Sequence, residues 1–126
     1  MSLILDAGAF VALERGDRAM WRQLMKAVDA GRDVRTHGGV IAQVWRGGSG
    51  RQAQLARALR HVAIVPLGSA LGRRTGLLLA DSGTRDVLDA ALVALAEHRD
   101  VIATSDIDDL QLLIAATGRA IGLMAT

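Results

Sequence analysis

The chain has 126 residues and contains no proline-rich linker, repeat or low-complexity tract, so residues 1–126 are expected to form one domain around one core. Its composition is 51% hydrophobic but only 2% aromatic, which excludes a disordered chain and calls for an aliphatic core. A formal charge of only +2 singles out no partner class, and the absence of cysteine excludes disulfides and thiolate metal sites.

Leu3 to Leu5 is an apolar run too short for a helix and suited to a buried parallel strand, with Asp6 at its carboxyl end. Ala7 to Glu14 resumes as a short helix. Asp17 is placed to cap a second helix, which carries Met20, Trp21, Leu24, Met25 and Val28 and is stopped by Gly31. Asp33 to Thr36 predicts a second strand. Gly38 and Gly39 then lead into Val40, Ile41, Val44 and Trp45 at helical spacing, with Gln43 inside that helix. Gly47-Gly48-Ser49-Gly50 reads as a flexible connection to an arginine-bearing helix from Arg51 to Arg60, and Val62 to Val65 as a third strand closed by Pro66. Ser69 to Ala80 is helical until the Asp81-Ser82-Gly83-Thr84 cluster breaks it, and Thr84 is positioned to cap the next helix. That helix, Arg85 to His98, is apolar almost all round, as expected of one packed deep against a sheet. Asp100 to Thr104 predicts a fourth strand, Ser105 caps a helix running to Ala116, and Ala120 to Met124 makes a fifth strand.

Strands alternating with helices over these lengths predict an α/β fold, a three-layer α/β/α sandwich around a parallel sheet of five strands. Sites in such sheets form outside the carboxyl ends of the strands. No apolar stretch, the run from Val87 to Ala96 included, is long enough to cross a bilayer. The opening Met-Ser-Leu-Ile-Leu-Asp lacks the basic region and cleavage site of a secretory signal, so a cytoplasmic protein without a membrane partner is expected.

The predicted carboxyl edge gathers acids. Asp6 follows the first strand, Asp106 lies just beyond the fourth, and Asp89 sits in the first turns of the apolar helix among Leu88, Ala90, Ala91 and Leu92. A carboxylate there is costly unless it is paired, hydrogen-bonded or coordinated. Three converging carboxylates raise at least one pKa, and a divalent cation resolves the conflict. With no cysteine, and with His37, His61 and His98 scattered without ligand-type spacing, the cation should be hard, Mg²⁺ or Mn²⁺. Such an ion can activate water and shield a phosphodiester under attack. Aspartates near helix starts also serve as caps, which is the favoured reading for Asp86, Asp108 and Asp109; Ser105 and Asp108 have capping-box spacing. Arginines cluster at Arg46, Arg51, Arg57 and Arg60 and again at Arg73 and Arg74, where phosphate contact and a solvated helix face stand level. Gly48-Ser49-Gly50 is not a nucleophile elbow, because Arg51 takes the last glycine position, and no Walker or dinucleotide-binding glycine pattern occurs.

Three segments carry a family likeness. Leu5-Asp6-Ala7-Gly8-Ala9-Phe10, the Asp89-led run to Ala96, and Thr104-Ser105-Asp106 with Asp109-Leu110 resemble, in order and spacing, the PIN domains, particularly the VapC-type toxins of toxin–antitoxin pairs. The resemblance implies a PIN-like fold and an Mg²⁺- or Mn²⁺-dependent endoribonuclease in which Asp6, Asp89 and Asp106 bind the metal and carry catalysis. It makes Asp86 and Asp109 auxiliaries, and Thr104 the hydroxyl residue that orients the first aspartate. It further implies an RNA substrate, for which Arg46 and Arg51 are the candidate contacts, a homodimer, and inhibition by a small antitoxin protein. The helix of Met20, Trp21, Leu24 and Met25 could offer that antitoxin an apolar groove, although core packing explains the same residues. One position departs: Gln43 stands where the family usually carries glutamate. An amide oxygen can ligate a metal or hold its water, but it is no base and attracts a cation less. The alternative is therefore a PIN-fold module that binds RNA or a partner without cutting. A phosphoacceptor receiver domain is disfavoured because the one lysine, Lys26, lies mid-helix, and a HAD-type phosphatase because position 8 is glycine.

Overall fold

The computed structural model describes residues 1–48 and 50–126, so Ser49 of the expected glycine-rich connection lies outside the described residues. The elements are β1 (Leu3–Leu5), α1 (Ala7–Glu14), α2 (Arg18–Asp29), β2 (Val34–His37), α3 (Gly38–Val44), α4 (Ala53–Leu59), β3 (Ala63–Val65), α5 (Ser69–Ser82), α6 (Val87–Leu95), β4 (Val101–Thr104), α7 (Ile107–Thr117) and β5 (Gly122–Ala125). Five parallel strands run in the order β3-β2-β1-β4-β5. Helices α1 to α4 contact one another, as do α5 to α7, and the two groups cover the sheet as a three-layer α/β/α sandwich. Among the described residues no helix is long and apolar enough to cross a membrane.

β1 is central, and all three of its residues are buried, which explains its unbroken Leu-Ile-Leu. The single phenylalanine, Phe10, is fully buried on α1, and the rest of the core is aliphatic. On α2, Met20 and Leu24 are buried and Trp21 and Met25 pack against the core, so core packing accounts for that helix. Trp21 is fixed further: its Nε1–H donates to the Leu13 carbonyl at 3.0 Å, and the Arg57 guanidinium lies 4.7 Å from its ring centre.

The sequence pattern misplaces two caps. Thr84 does not start α6; its hydroxyl pairs with Ser82 at 2.8 Å, and the N-cap is Asp86, whose Oδ1 accepts from the Leu88 and Asp89 N–H groups, each at 3.0 Å. Ser105 does not cap α7, since Asp106 holds the N-cap position without a side-chain bond and no box forms with Asp108. Instead Ser105 faces Gly8, where an added Cβ would stand 2.4 Å from the Ser105 Oγ. Absence of a side chain at position 8 thus lets α1 approach the β4–α7 turn.

The strand order puts a topological switch point between β1 and β4, because the chain leaves β1 toward β2 and later returns to its other side. Segments leaving β1 and β4 therefore diverge and open a crevice at their carboxyl ends. Asp6 and Asp106 are the residues that leave there.

Candidate functional site

Asp6 is 4% exposed yet has no cationic partner among the described residues; backbone N–H groups hold it instead. Its Oδ1 accepts from Ala9 at 2.9 Å, capping α1, and its Oδ2 accepts from Ser105 at 3.1 Å across the switch point. The backbone N–H of Asp6 also donates to the Ala103 carbonyl at 3.1 Å. These bonds fix the carboxylate's orientation. Thr104 acts on the other acid: its buried hydroxyl accepts the Asp106 N–H at 2.8 Å and so shapes the turn that presents Asp106. Orientation of Asp6 comes from Ala9 and Ser105, and the Thr104 hydroxyl is engaged with Asp106.

Asp89 is half-buried in the first turn of α6, and its pKa is pushed up to about 6. Burial is the largest cause, followed by the charges of Asp86, Asp106, Asp6 and Asp109. Five carboxylates from three helix starts thus share one region. Asp106 and Asp109 are exposed and line a cavity of about 470 Å³ with Thr104, Ser105, Asp108 and the chain end at Thr126.

Whether these acids suit a hard cation has two sides. The donor set is all oxygen, and the repulsion at Asp89 is the kind that a bound cation relieves. Yet among the described residues no three His, Asp or Glu side chains stand close enough together to hold a metal ion. The two observations concern different distances: repulsion between carboxylates is felt across several ångströms, whereas ligand oxygens lie about 2.0–2.6 Å from a bound Mg²⁺ or Ca²⁺. Bringing three of these carboxylates onto one ion therefore requires at least one of them to move.

Gln43 lies exposed in the last turn of α3, and its side chain makes no hydrogen bond with another described residue. Among the described residues no ion pair joins Arg46 or Arg51 to an acid. Both are exposed, and the Arg46 guanidinium folds back onto the Ala42 and Trp45 carbonyls at 2.9 and 2.8 Å.

One residue that matters at this edge, His37, was dismissed in the sequence as an isolated imidazole. It is fully buried at the end of β2, where Nδ1 accepts from the Gly39 N–H at 3.0 Å and Nε2 pairs with the Leu88 carbonyl at 2.9 Å. With Nδ1 accepting, the ring is neutral with its proton on Nε2, and burial lowers its pKa. His37 thereby ties β2 to the turn of α6 that carries Asp89. Gly39 makes room, since a Cβ there would stand 2.5 Å from Leu88. The available signal was histidine followed by two glycines at a strand end.

No family model matches the sequence, and no curated protein matches it. Among solved structures, the chain matches one in the crystal structure of VapBC2 from Rickettsia felis bound to a DNA fragment from their promoter, with a TM-score of 0.73 and 14% identity over 99% of this chain and 98% of that one. At such identity the likeness shows a shared fold, and it agrees with the PIN-like architecture expected from the sequence.

Proposed function

We propose that the chain is a PIN-fold RNA-binding module of the toxin–antitoxin kind with impaired hydrolytic power. One observation carries the reading: the acids gather at the switch point, but no three of them stand at ligating distance among the described residues. Gln43, in place of a glutamate, supports it by removing one negative charge from the family pattern. Arg46 and Arg51, which have no carboxylate partner among the described residues, are the candidate phosphate contacts. The test pairs RNA binding in EDTA with cleavage assays in Mg²⁺ and Mn²⁺. Binding without metal and little cleavage are expected; rapid metal-dependent cleavage that disappears in Asp6→Asn would overturn the impaired reading. In calorimetry, Gln43→Glu should tighten Mn²⁺ binding, and equal or weaker binding would remove position 43 from the site.

The raised pKa of Asp89 favours a second reading, a metal-dependent endoribonuclease. Asp6, Asp89 and Asp106 would then hold Mg²⁺ or Mn²⁺, with Asp86 and Asp109 as auxiliaries. When bound, the ion supplies an acidified water and shields the charge of the phosphodiester. The chain's own part is orientation: backbone N–H groups fix Asp6, Thr104 fixes the turn at Asp106, and His37 anchors the helix of Asp89.

A homodimer and a small antitoxin, implied by the VapC resemblance, belong to both readings. Leu77 and Leu112, exposed on the adjacent helices α5 and α7, are apolar side chains open to such partners. Light scattering that shows only a monomer at high concentration would remove the dimer.

A further inference from the structure

The two tryptophans are treated oppositely. Trp21 has its indole N–H bonded and one face covered by Arg57. Trp45, just past α3, is 42% exposed, and its Nε1 has no hydrogen-bond partner among the described residues. A large aromatic ring left in water, with a donor unused, has no evident role in packing.

Its surroundings are built and open. Trp45 borders a cavity of about 180 Å³ whose other walls include Gly47, Gly48, Gly50, Ala53 and Ala56, residues with little or no side chain. Gln52 holds the backbone here: its Oε1 accepts from the Arg46 and Gly47 N–H groups at 2.8 and 3.0 Å, and its Nε2–H donates to the Val44 carbonyl at 2.7 Å. Positive φ at Gly47, Gly48 and Gly50 is a conformation that side-chain-bearing residues rarely adopt. Arg46, next to Trp45 in the chain, is held by its bonds to the Ala42 and Trp45 carbonyls, and Arg51 lies exposed in the turn that leads into α4. Among the described residues neither has an acidic partner, since the one ion pair joins Arg35 and Asp100.

We infer that Trp45 is a stacking platform for one unpaired base of single-stranded RNA, with Arg46 and Arg51 contacting the adjacent phosphates. An exposed aromatic ring with arginines nearby in the chain, at positions 46 and 51, meets the two needs of a single strand, a π-surface for the base and cations for the backbone. A duplex, whose bases are already stacked on one another, offers no free face to the ring. The inference rests on the RNA-binding reading above and deepens it by naming the strand form recognised.

In Trp21→Phe the only remaining tryptophan is Trp45, so its fluorescence reports the site directly. The full chain is titrated in EDTA, where no metal-dependent cleavage intervenes, with an oligoadenylate, an abasic strand of equal length and an RNA duplex. The oligoadenylate should quench the emission saturably, and the abasic strand and duplex should not. By anisotropy of a labelled oligoadenylate, with both tryptophans otherwise in place, Trp45→Ala should weaken binding by about tenfold, the size of one base–aromatic stack, and Trp45→Phe should restore most of it. Unquenched emission with RNA bound, no binding to any strand, or undiminished binding by Trp45→Ala each overturns the inference. So does a Trp45→Ala protein whose only change is a smaller mass in light scattering, which would make the ring a protein contact. The nuclease question fails separately: quenching without cleavage in Mn²⁺ leaves the stacking site standing, and cleavage without quenching removes it.

Discussion

The two edges of the sheet each bury an aspartate and treat it in opposite ways. At the amino edge, Asp100 is 2% exposed and fully compensated: Ser2 N–H donates to Oδ1 at 2.7 Å, Glu97 N–H donates to Oδ2 at 2.8 Å, and the Arg35 guanidinium meets Oδ2 at 3.1 Å. Arg35 also reaches the Leu95 carbonyl, and Arg119 the Val93 and Ala96 carbonyls, so α6 ends on two arginines. That suits its dipole. At the carboxyl edge, where α6 begins, the half-buried Asp89 has no cationic partner among the described residues, and four other carboxylates act on it. Burial of a carboxylate therefore does not mark a site; burial without compensation does.

The sharpest way to break the comparison is to remove the compensated acid. Asp100→Ala leaves the Arg35 guanidinium and the Ser2 and Glu97 N–H groups without their acceptor. Breaking a buried pair costs about 3–5 kcal/mol, and because the Arg35 side chain is 21% exposed the lower end, about 3 kcal/mol, is expected. Urea denaturation measures it. A loss no greater than that of an ordinary surface substitution, within about 0.5 kcal/mol, would show that the amino-edge network is not structural.

Removing the uncompensated acid should do the reverse. Asp89 titrates near 6 in the folded chain and near 3.8 as an ordinary aspartate, so folding favours its protonated form. Below about pH 3 both states are protonated and the group is neutral to stability. As pH rises from about 4 to 6, the unfolded chain releases its proton first and stability falls; above 6 the penalty is constant. A full two-unit shift corresponds to about 3 kcal/mol, and screening at a half-exposed side chain reduces this to about 1–2 kcal/mol. Asp89→Asn should thus stabilise the chain by that amount at pH 7 and leave it almost unchanged at about pH 3. His37, buried neutral, pulls the other way: the unfolded chain takes up its proton first as pH falls below about 6.5, and stability drops. The difference between wild type and Asp89→Asn cancels that contribution. An equal effect at both pH values would assign the gain to packing and not to charge.

The architecture was legible in the sequence because it depends on period and punctuation. Leu3–Leu5, the Asp17 cap and the apolar α6 each declare themselves over a few residues, and parallel order follows from alternation. That Asp6 and Asp106 leave the same edge was legible for the same reason, since parallel strand ends share an edge. What stayed hidden depends on contacts across long sequence distance. The Asp6–Ser105 bond and the Gly8–Ser105 approach have no local pattern, and neither does the His37–Leu88 tie. The caps at Thr84 and Ser105 misled because hydroxyl residues beside a helix start fit a cap equally well as a turn. Ligation distance is invisible to spacing altogether.

The smallest effect separates the two roles of one residue. Asp86 caps α6 through two N–H groups and is also the strongest of the charges acting on Asp89. Asp86→Ala removes both. Loss of the cap costs about 1 kcal/mol, while relief of repulsion at Asp89 returns part of it, so the net loss at pH 7 should be smaller than at pH 4, where the carboxylate of Asp89 is protonated. Asp86→Asn keeps an equally good cap and removes only the charge, so it should be neutral or slightly stabilising at pH 7. In both variants the titration of Asp89, followed by NMR of its side-chain carboxyl carbon, should move down from about 6 toward the ordinary aspartate value. An unmoved titration would mean that the Asp86 charge takes no part in raising Asp89, which would leave burial and the charges of Asp106, Asp6 and Asp109 as the causes and make Asp86 a cap alone.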